Sequence, residues 1–155
     1  SPQESSRYVH KLSGMYRYML QHEGEKLVRL SEEIDFTRMF VDLMQIRFPK
    51  GLEVSFNVPE EDLQYRVVPC ALQLLVENAT KHNAISEENP LVIEINCNAA
   101  EGTVSVTNNL IPRLSPSSST GLGLSYIKRQ YADHTTSPVD ISSDESSFKV
   151  TLPLL

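Results

Sequence analysis

Between about Glu4 and His22 the apolar residues fall at Tyr8, Val9, Leu12, Met15, Tyr16, Met19 and Leu20. Spacings of three and four put them on one stripe, which predicts an amphipathic helix. Gly24 breaks the pattern. Ser31, followed by Glu32 and Glu33, predicts an N-cap with acids in the first turn, where the helix dipole favours them. The second helix then runs to about Phe48, with Phe36, Met39, Phe40, Leu43 and Ile46 inward, and Pro49-Lys50-Gly51 ends it. Strict alternation over Leu52–Val58 predicts a half-buried strand. Pro69 suits the first turn of a third helix, where its missing N–H costs nothing, and that helix reaches about His82. Alternation returns at Leu91–Asn98 and Thr103–Asn108, joined by the turn Ala99-Ala100-Glu101-Gly102. Prolines and serines exclude a regular element from Asn109 to Thr120. A fourth helix follows Gly121-Leu122-Gly123-Leu124 to about Tyr131, and Val139–Ser143 and Phe148–Leu152 close the chain as a hairpin.

Helices and strands alternate only loosely, and the final hairpin is antiparallel. The predicted class is therefore α+β, a mixed sheet with helices on one face, rather than a doubly wound parallel sheet. Compact domains usually have about 100–150 residues, so 155 residues make one domain and a small addition.

Charge and cysteine content narrow the function. A formal net charge of -6 excludes a sequence-independent nucleic-acid binder, which needs a basic face. It does not exclude ATP, because a phosphate site is a local cluster of amides, a lysine and a metal. Cys70 and Cys97 are too few for a disulfide scaffold or a zinc site, which fits a reducing cytosol. No apolar run approaches the roughly 20 residues of a membrane-spanning helix, and no signal peptide opens the chain. The opening Ser-Pro-Gln-Glu-Ser-Ser reads as a helix entry cut from something longer, so an upstream membrane anchor stays open.

The third helix carries the chemistry. Leu72, Leu75, Val76 and Ala79 share one side, and Glu77, Asn78, Lys81 and His82 gather on the other. A carboxylate, a carboxamide and an ammonium together offer a proton acceptor, a neutral metal ligand and a phosphate partner, a set that suits Mg-ATP. Taken alone, the same face also fits a solvated surface with a Glu77–Lys81 pair at i,i+4. Gly121-x-Gly123 adds backbone amides at a helix N-terminus, where a phosphate can approach closely. Gly-x-Gly by itself is a weak signal. The order of the parts is more specific: acidic-amide helix, two strands, loop, glycine turn, helix.

In that order Leu75-Val76-Glu77-Asn78-Ala79-Thr80-Lys81-His82 resembles the N box of the GHKL ATPase and kinase superfamily. Thr120-Gly121-Leu122-Gly123-Leu124 resembles its G2 box. The match is nearest to the LytS-type sensor histidine kinases, whose upstream signature is similar to Lys11–Tyr18, Leu30-Ser31-Glu32-Glu33 and Ile46-Arg47-Phe48. The resemblance implies a Bergerat-type two-layer α/β sandwich preceded by an N-terminal helical segment. Residues 1–29 would be the second helix of a dimerisation hairpin, and 30–155 the ATP-binding catalytic domain. It further implies ATP and Mg²⁺ as cofactors, with Asn78 on Mg²⁺ and the phosphate oxygens, Glu77 as general base, and Lys81 and His82 facing the phosphates. Thr120, Gly121, Leu122, Gly123 and Leu124 would complete the phosphate site, with Asn109–Thr120 as a lid. The implied partners are a second copy through the N-terminal helix and a response regulator, with no nucleic acid. The implied setting is the cytoplasmic side of an inner-membrane sensor.

Two departures qualify the match. The family's G1 box is Asp-x-Gly-x-Gly, its aspartate binding the adenine amino group. Here the segment is Asn108-Asn109-Leu110-Ile111-Pro112. An Asn108 oxygen still accepts that bond, without charge assistance. The family's Pro-His-Phe-Leu-Phe-Asn acceptor segment is also missing. His10, His22, His82 and His134 do not match it, so the chain is expected to begin after the acceptor, its first helix deprived of a natural partner. The stripe Tyr8, Leu12, Met15, Tyr16 and Met19 should then pack on the catalytic domain or on a second copy. The leading function is γ-phosphoryl transfer to a histidine outside this chain. The alternatives are a degenerate nucleotide site serving as an interaction module, and a stand-alone serine kinase, against which the dimerisation-type first helix speaks.

Overall fold

The structure is a computed structural model describing residues 1–22, 26–115 and 121–155. Among the described residues four helices and seven strands follow in the order α1 Pro2–Gln21, β1 Val28–Arg29, α2 Leu30–Arg47, β2 Leu52–Asn57, β3 Arg66–Val67, α3 Ala71–His82, β4 Leu91–Asn98, β5 Thr103–Asn109, α4 Leu122–Ala132, β6 Asp140–Ser143 and β7 Ser147–Pro153. A 3₁₀ turn, Glu60–Asp62, precedes β3. The main sheet has the order β2-β4-β5-β7-β6, parallel between β2 and β4 and antiparallel elsewhere. This is the mixed sheet expected. Gly24 and Thr120 lie outside the described residues.

One face of the sheet is apolar. Leu91, Ile93 and Ile95 of β4, Val104 and Val106 of β5, and Val150 and Leu152 of β7 are buried against α2, α3 and α4. The opposite face carries Glu53, Asn57, Glu94, Asn96 and Lys149, and Asn57 donates to Asn96 across it at 2.8 Å. Alternation along each strand thus sorts its residues between core and water, which makes two layers the stable arrangement.

Helix α2 is buried on two sides. Leu30, Ile34 and Val41 enter the sheet core, while Phe36 and Leu43 face Met15 and Tyr18 of α1. The sequence reading placed Met39, Phe40 and Ile46 inward; they are half-buried, and Ile34 and Val41 take the deeper positions. Ser31 is not the N-cap. The helix begins at Leu30 after Arg29, and the amides of Leu30 and Ser31 bond instead to the carbonyls of Tyr65 and Leu63, at 2.7 and 3.0 Å. The two-stranded β1–β3 ladder holds that loop in place. Pro69 lies one residue ahead of the α3 cap rather than in its first turn, because Cys70 takes the left-handed conformation there, φ 67°.

Helix α1 starts from a capping box between Ser1 and Glu4. It seats on α2 through Met15 and Tyr18, with Lys11 paired to Asp42 at 2.8 Å. Tyr8, Val9, Leu12, Tyr16 and Leu20 stay exposed, so only part of the predicted stripe is covered. Among the described residues no helix is long and apolar enough to cross a membrane.

Candidate active site

The candidate site lies between α3 and the inner face of the sheet. A cavity of about 410 Å³ is floored by Val106, Phe148 and Val150 and walled by Leu75, Ala79 and Leu124; Asn78, His82, Asn83 and Asn108 bring polar groups into it. That is within the size of small-molecule pockets, roughly 300–1,000 Å³. Asn108 stands in the register row Ile93–Asn108–Phe148, between two apolar neighbours, and it is only 4% exposed. Its Nδ2 donates to the Asn109 carbonyl at 2.8 Å, which leaves Oδ1 as the acceptor for a guest.

The segment in place of the G1 box is held firmly. Asn109 accepts from the Val92 amide at 2.7 Å and donates to the Pro90 carbonyl at 3.1 Å. Leu110 donates its amide to Ser146, and Ile111 donates to Asn83 Oδ1 at 2.9 Å while accepting from Ala84. No residue from Asn108 to Ser115 has positive φ; Cys70 is the one described non-glycine residue that does. The backbone therefore does not call for the two missing glycines, and Leu110 adds an apolar contact to the cavity instead.

Gly121 caps α4 at φ 74°, a left-handed conformation natural to glycine. Gly123 sits against the N box: a Cβ there would stand 3.6 Å from both amide atoms of Asn78. The α4 amides and the Asn78 carboxamide thus meet at one end of the cavity, where an anion would gain from the helix N-terminus. Ile127 and Tyr131 bury α4 behind this point. Leu122 begins the helix and Leu124 lines the cavity.

The four candidate residues of α3, Glu77, Asn78, Lys81 and His82, divide into two pairs. Asn78 and His82 turn toward the cavity just described, whereas Glu77 and Lys81 line a neighbouring one of about 670 Å³, with Phe40, Phe48 and Arg113. Each pair is spaced i,i+4, and one residue step rotates by about 100°, so the pairs flank the helix on adjoining sides. Glu77 accepts from Gln73 at 2.7 Å and pairs with Lys81 at 2.7 Å; Arg113 donates to the Lys81 carbonyl.

Sequence reasoning missed Glu33 and Tyr18. Glu33 is fully buried, and burial pushes its carboxyl up to about 7 although bonds from Cys70, Tyr18 and Leu72 draw it down. Burial likewise raises the Tyr18 hydroxyl above its ordinary range and pushes the Cys70 thiol up to about 12. The first-turn position of Glu33 suggested a service to its own helix; its bonds run to α1 and α3 instead.

The residues also fit Mg²⁺ with a phosphate ligand. No cluster of three or more His, Cys, Asp or Glu side chains that could hold a metal occurs among the described residues. Asn78 offers one neutral oxygen, the kind of sparse protein ligation that suits an ion retaining water and phosphate ligands.

The chain is similar to known histidine kinases. A family model described as "Histidine kinase" matches residues 1–52. The sensor protein LytS of Bacillus cereus is 30% identical over 102 residues, 66% of this chain and 17% of that protein. The sensor protein kinase HptS of Staphylococcus aureus is 28% identical over 131 residues, 84% of this chain and 23% of that protein. The chain therefore spans about a fifth of the length of these relatives. Among solved structures, the nucleotide-free catalytic domain of histidine kinase ThkA superposes with a TM-score of 0.56 at 24% identity, covering 82% of this chain and 93% of that one. The fold is that of a histidine kinase catalytic domain. In sequence, the chain is similar to the sensor proteins LytS and HptS over those stretches.

Proposed function

We propose that this chain is the ATP-binding catalytic part of a two-component sensor histidine kinase and transfers the γ-phosphoryl group of ATP to a histidine outside residues 1–155. The observation that supports this best is the opposition of two carboxamides across one apolar cavity, Asn108 on the sheet and Asn78 at the α4 N-terminus. Adenine would lie on Val106, Leu110 and Val150 with its amino group donating to Asn108 Oδ1. The triphosphate would run toward Asn78, His82 and the amides of Gly121, Leu122 and Gly123. Asn78 would hold Mg²⁺ from the protein side, and the ion would supply neutralisation of the charge on the phosphates.

Such transfer is mostly positioning and charge stabilisation. The acceptor nitrogen forms a bond to the γ-phosphorus as the bond to the bridging oxygen breaks, releasing ADP. Glu77 is our candidate to take the imidazole proton, its carboxylate fixed by Gln73 and Lys81. Residues 1–29 serve as the second helix of a dimerisation hairpin, and 30–155 as the catalytic domain. The exposed Tyr8, Val9, Leu12, Tyr16 and Leu20 are the face we assign to a second copy. A response regulator would receive the phosphoryl group, on the cytoplasmic side of an inner-membrane sensor.

The test supplies a hairpin bearing an acceptor histidine in trans, with γ-labelled ATP and Mg²⁺. Acid-labile label on the hairpin and none on this chain is the expected result. Label on the chain's own serines would favour a different kinase class.

A further inference from the structure

The junction of α1, α2 and α3 turns on one side chain. Glu33 of α2 has no exposed surface, and its carboxylate bonds run to α1 and to the start of α3. Oε2 accepts from the Tyr18 hydroxyl at 2.9 Å and from the Cys70 amide at 3.0 Å; Oε1 accepts from the Leu72 amide at 3.1 Å. The α3 cap needs this help, because Cys70 sits at φ 67° and makes no side-chain cap bond. Left unbonded, buried first-turn amides are costly.

A buried carboxylate is an expensive way to cap a helix, since an Asp or Ser at the cap position would do so locally. What Glu33 adds is reach. Tyr18 lies on α1, its ring stacked on Phe36 with centroids 4.2 Å apart. Helix α3 runs as one rod from Ala71 to His82, and at about 1.5 Å per residue Asn78 stands roughly 9 Å beyond Leu72. A small tilt at the first turn is therefore carried to the cavity. Cys70 and, from α4, Tyr131 interact electrostatically with the carboxylate, while Glu32 of α2 and His22, the C-cap of α1, lie beside Tyr18.

We propose that Glu33 is a positioning residue that joins α1, through Tyr18, to the first turn of α3, so that the seating of α1 and the occupancy of the nucleotide cavity bias one another. This rests on the nucleotide reading above. Coupling of this kind is reciprocal: what α1 does to nucleotide binding, nucleotide must do to α1. A contact that only held the fold together would lower stability when removed, without linking the two events.

The informative variant is Tyr18→Phe, which keeps the ring stacked on Phe36 and removes the hydroxyl alone. Amide hydrogen exchange is followed in the full chain and in the variant, with and without saturating Mg²⁺ and a non-hydrolysable ATP analogue, whose binding is measured separately by calorimetry. In the full chain the analogue should slow exchange across residues 11–21 several-fold. In Tyr18→Phe the analogue should still bind while that response disappears, and without nucleotide the Cys70 and Leu72 amides should exchange about tenfold faster. Bound analogue that leaves α1 unaltered in the full chain, or an undiminished response in Tyr18→Phe, overturns the proposal. If the analogue binds neither protein, the nucleotide reading falls. The coupling of α1 to α3 is then decided by Cys70 and Leu72, and unchanged exchange at those amides overturns it.

Discussion

The amide nitrogen of Asn108 is committed to the Asn109 carbonyl 2.8 Å away, and that bond sets which way the side chain faces. Asn109 is fixed in turn by Val92 and Pro90, so the Asn108 oxygen is presented by a chain of neutral bonds rather than by charge. Replacing Asn108 with leucine keeps the branched heavy-atom shape and removes the acceptor. ATP affinity measured by calorimetry should fall about tenfold, the worth of one neutral hydrogen bond with its desolvation; equal affinity would contradict the adenine assignment. Asn78, Asn108, Gly121 and Gly123 were legible in the sequence because each belongs to a local run whose order carries meaning. Asn83, which binds Ile111, follows the N box directly and was within reach of the same reading. Glu33 was not, because its partners come from two other helices and no local pattern marks them.

At the scale of elements, the longer helices and strands followed from periodicity, and the errors cluster at their ends. Ser31 looked like a cap, but backbone carbonyls of the 63–65 loop supply that function. Two-residue strands such as β1 and β3 are too short to leave a period at all. The junction of α2 and α3 yields a pH prediction. Burial raises the Glu33 carboxyl from its ordinary 4.5 to about 7, so the folded chain holds that proton more tightly than the unfolded one. Its contribution to stability is therefore fully present below about 4.5 and is lost as pH rises through about 7. Urea unfolding of the wild type and Glu33→Gln at acid and alkaline pH measures this, other groups cancelling in the difference. The wild type should lose stability relative to the variant as pH rises; a constant difference would contradict the burial argument.

The whole molecule is a sheet whose one apolar face is covered by three helices, with a fourth seated on the outside. The two-layer class was legible because strand alternation and helix stripes agree on which side is inward. The seating of α1 was only half legible: Met15 was in the stripe, but Tyr18, its buried companion, was not. What unites the parts is a cavity between layers, with Asn108 at the sheet end and Asn78 beside Gly123 at the α4 end. The most direct measurement is a calorimetric titration of ATP with Mg²⁺ into the intact chain and into Asn78→Ala. The account predicts binding in the intact chain that is strongly weakened in the variant and insensitive to Mg²⁺ there. Absence of binding in the intact chain, or equal Mg²⁺-dependent binding in both, would contradict it.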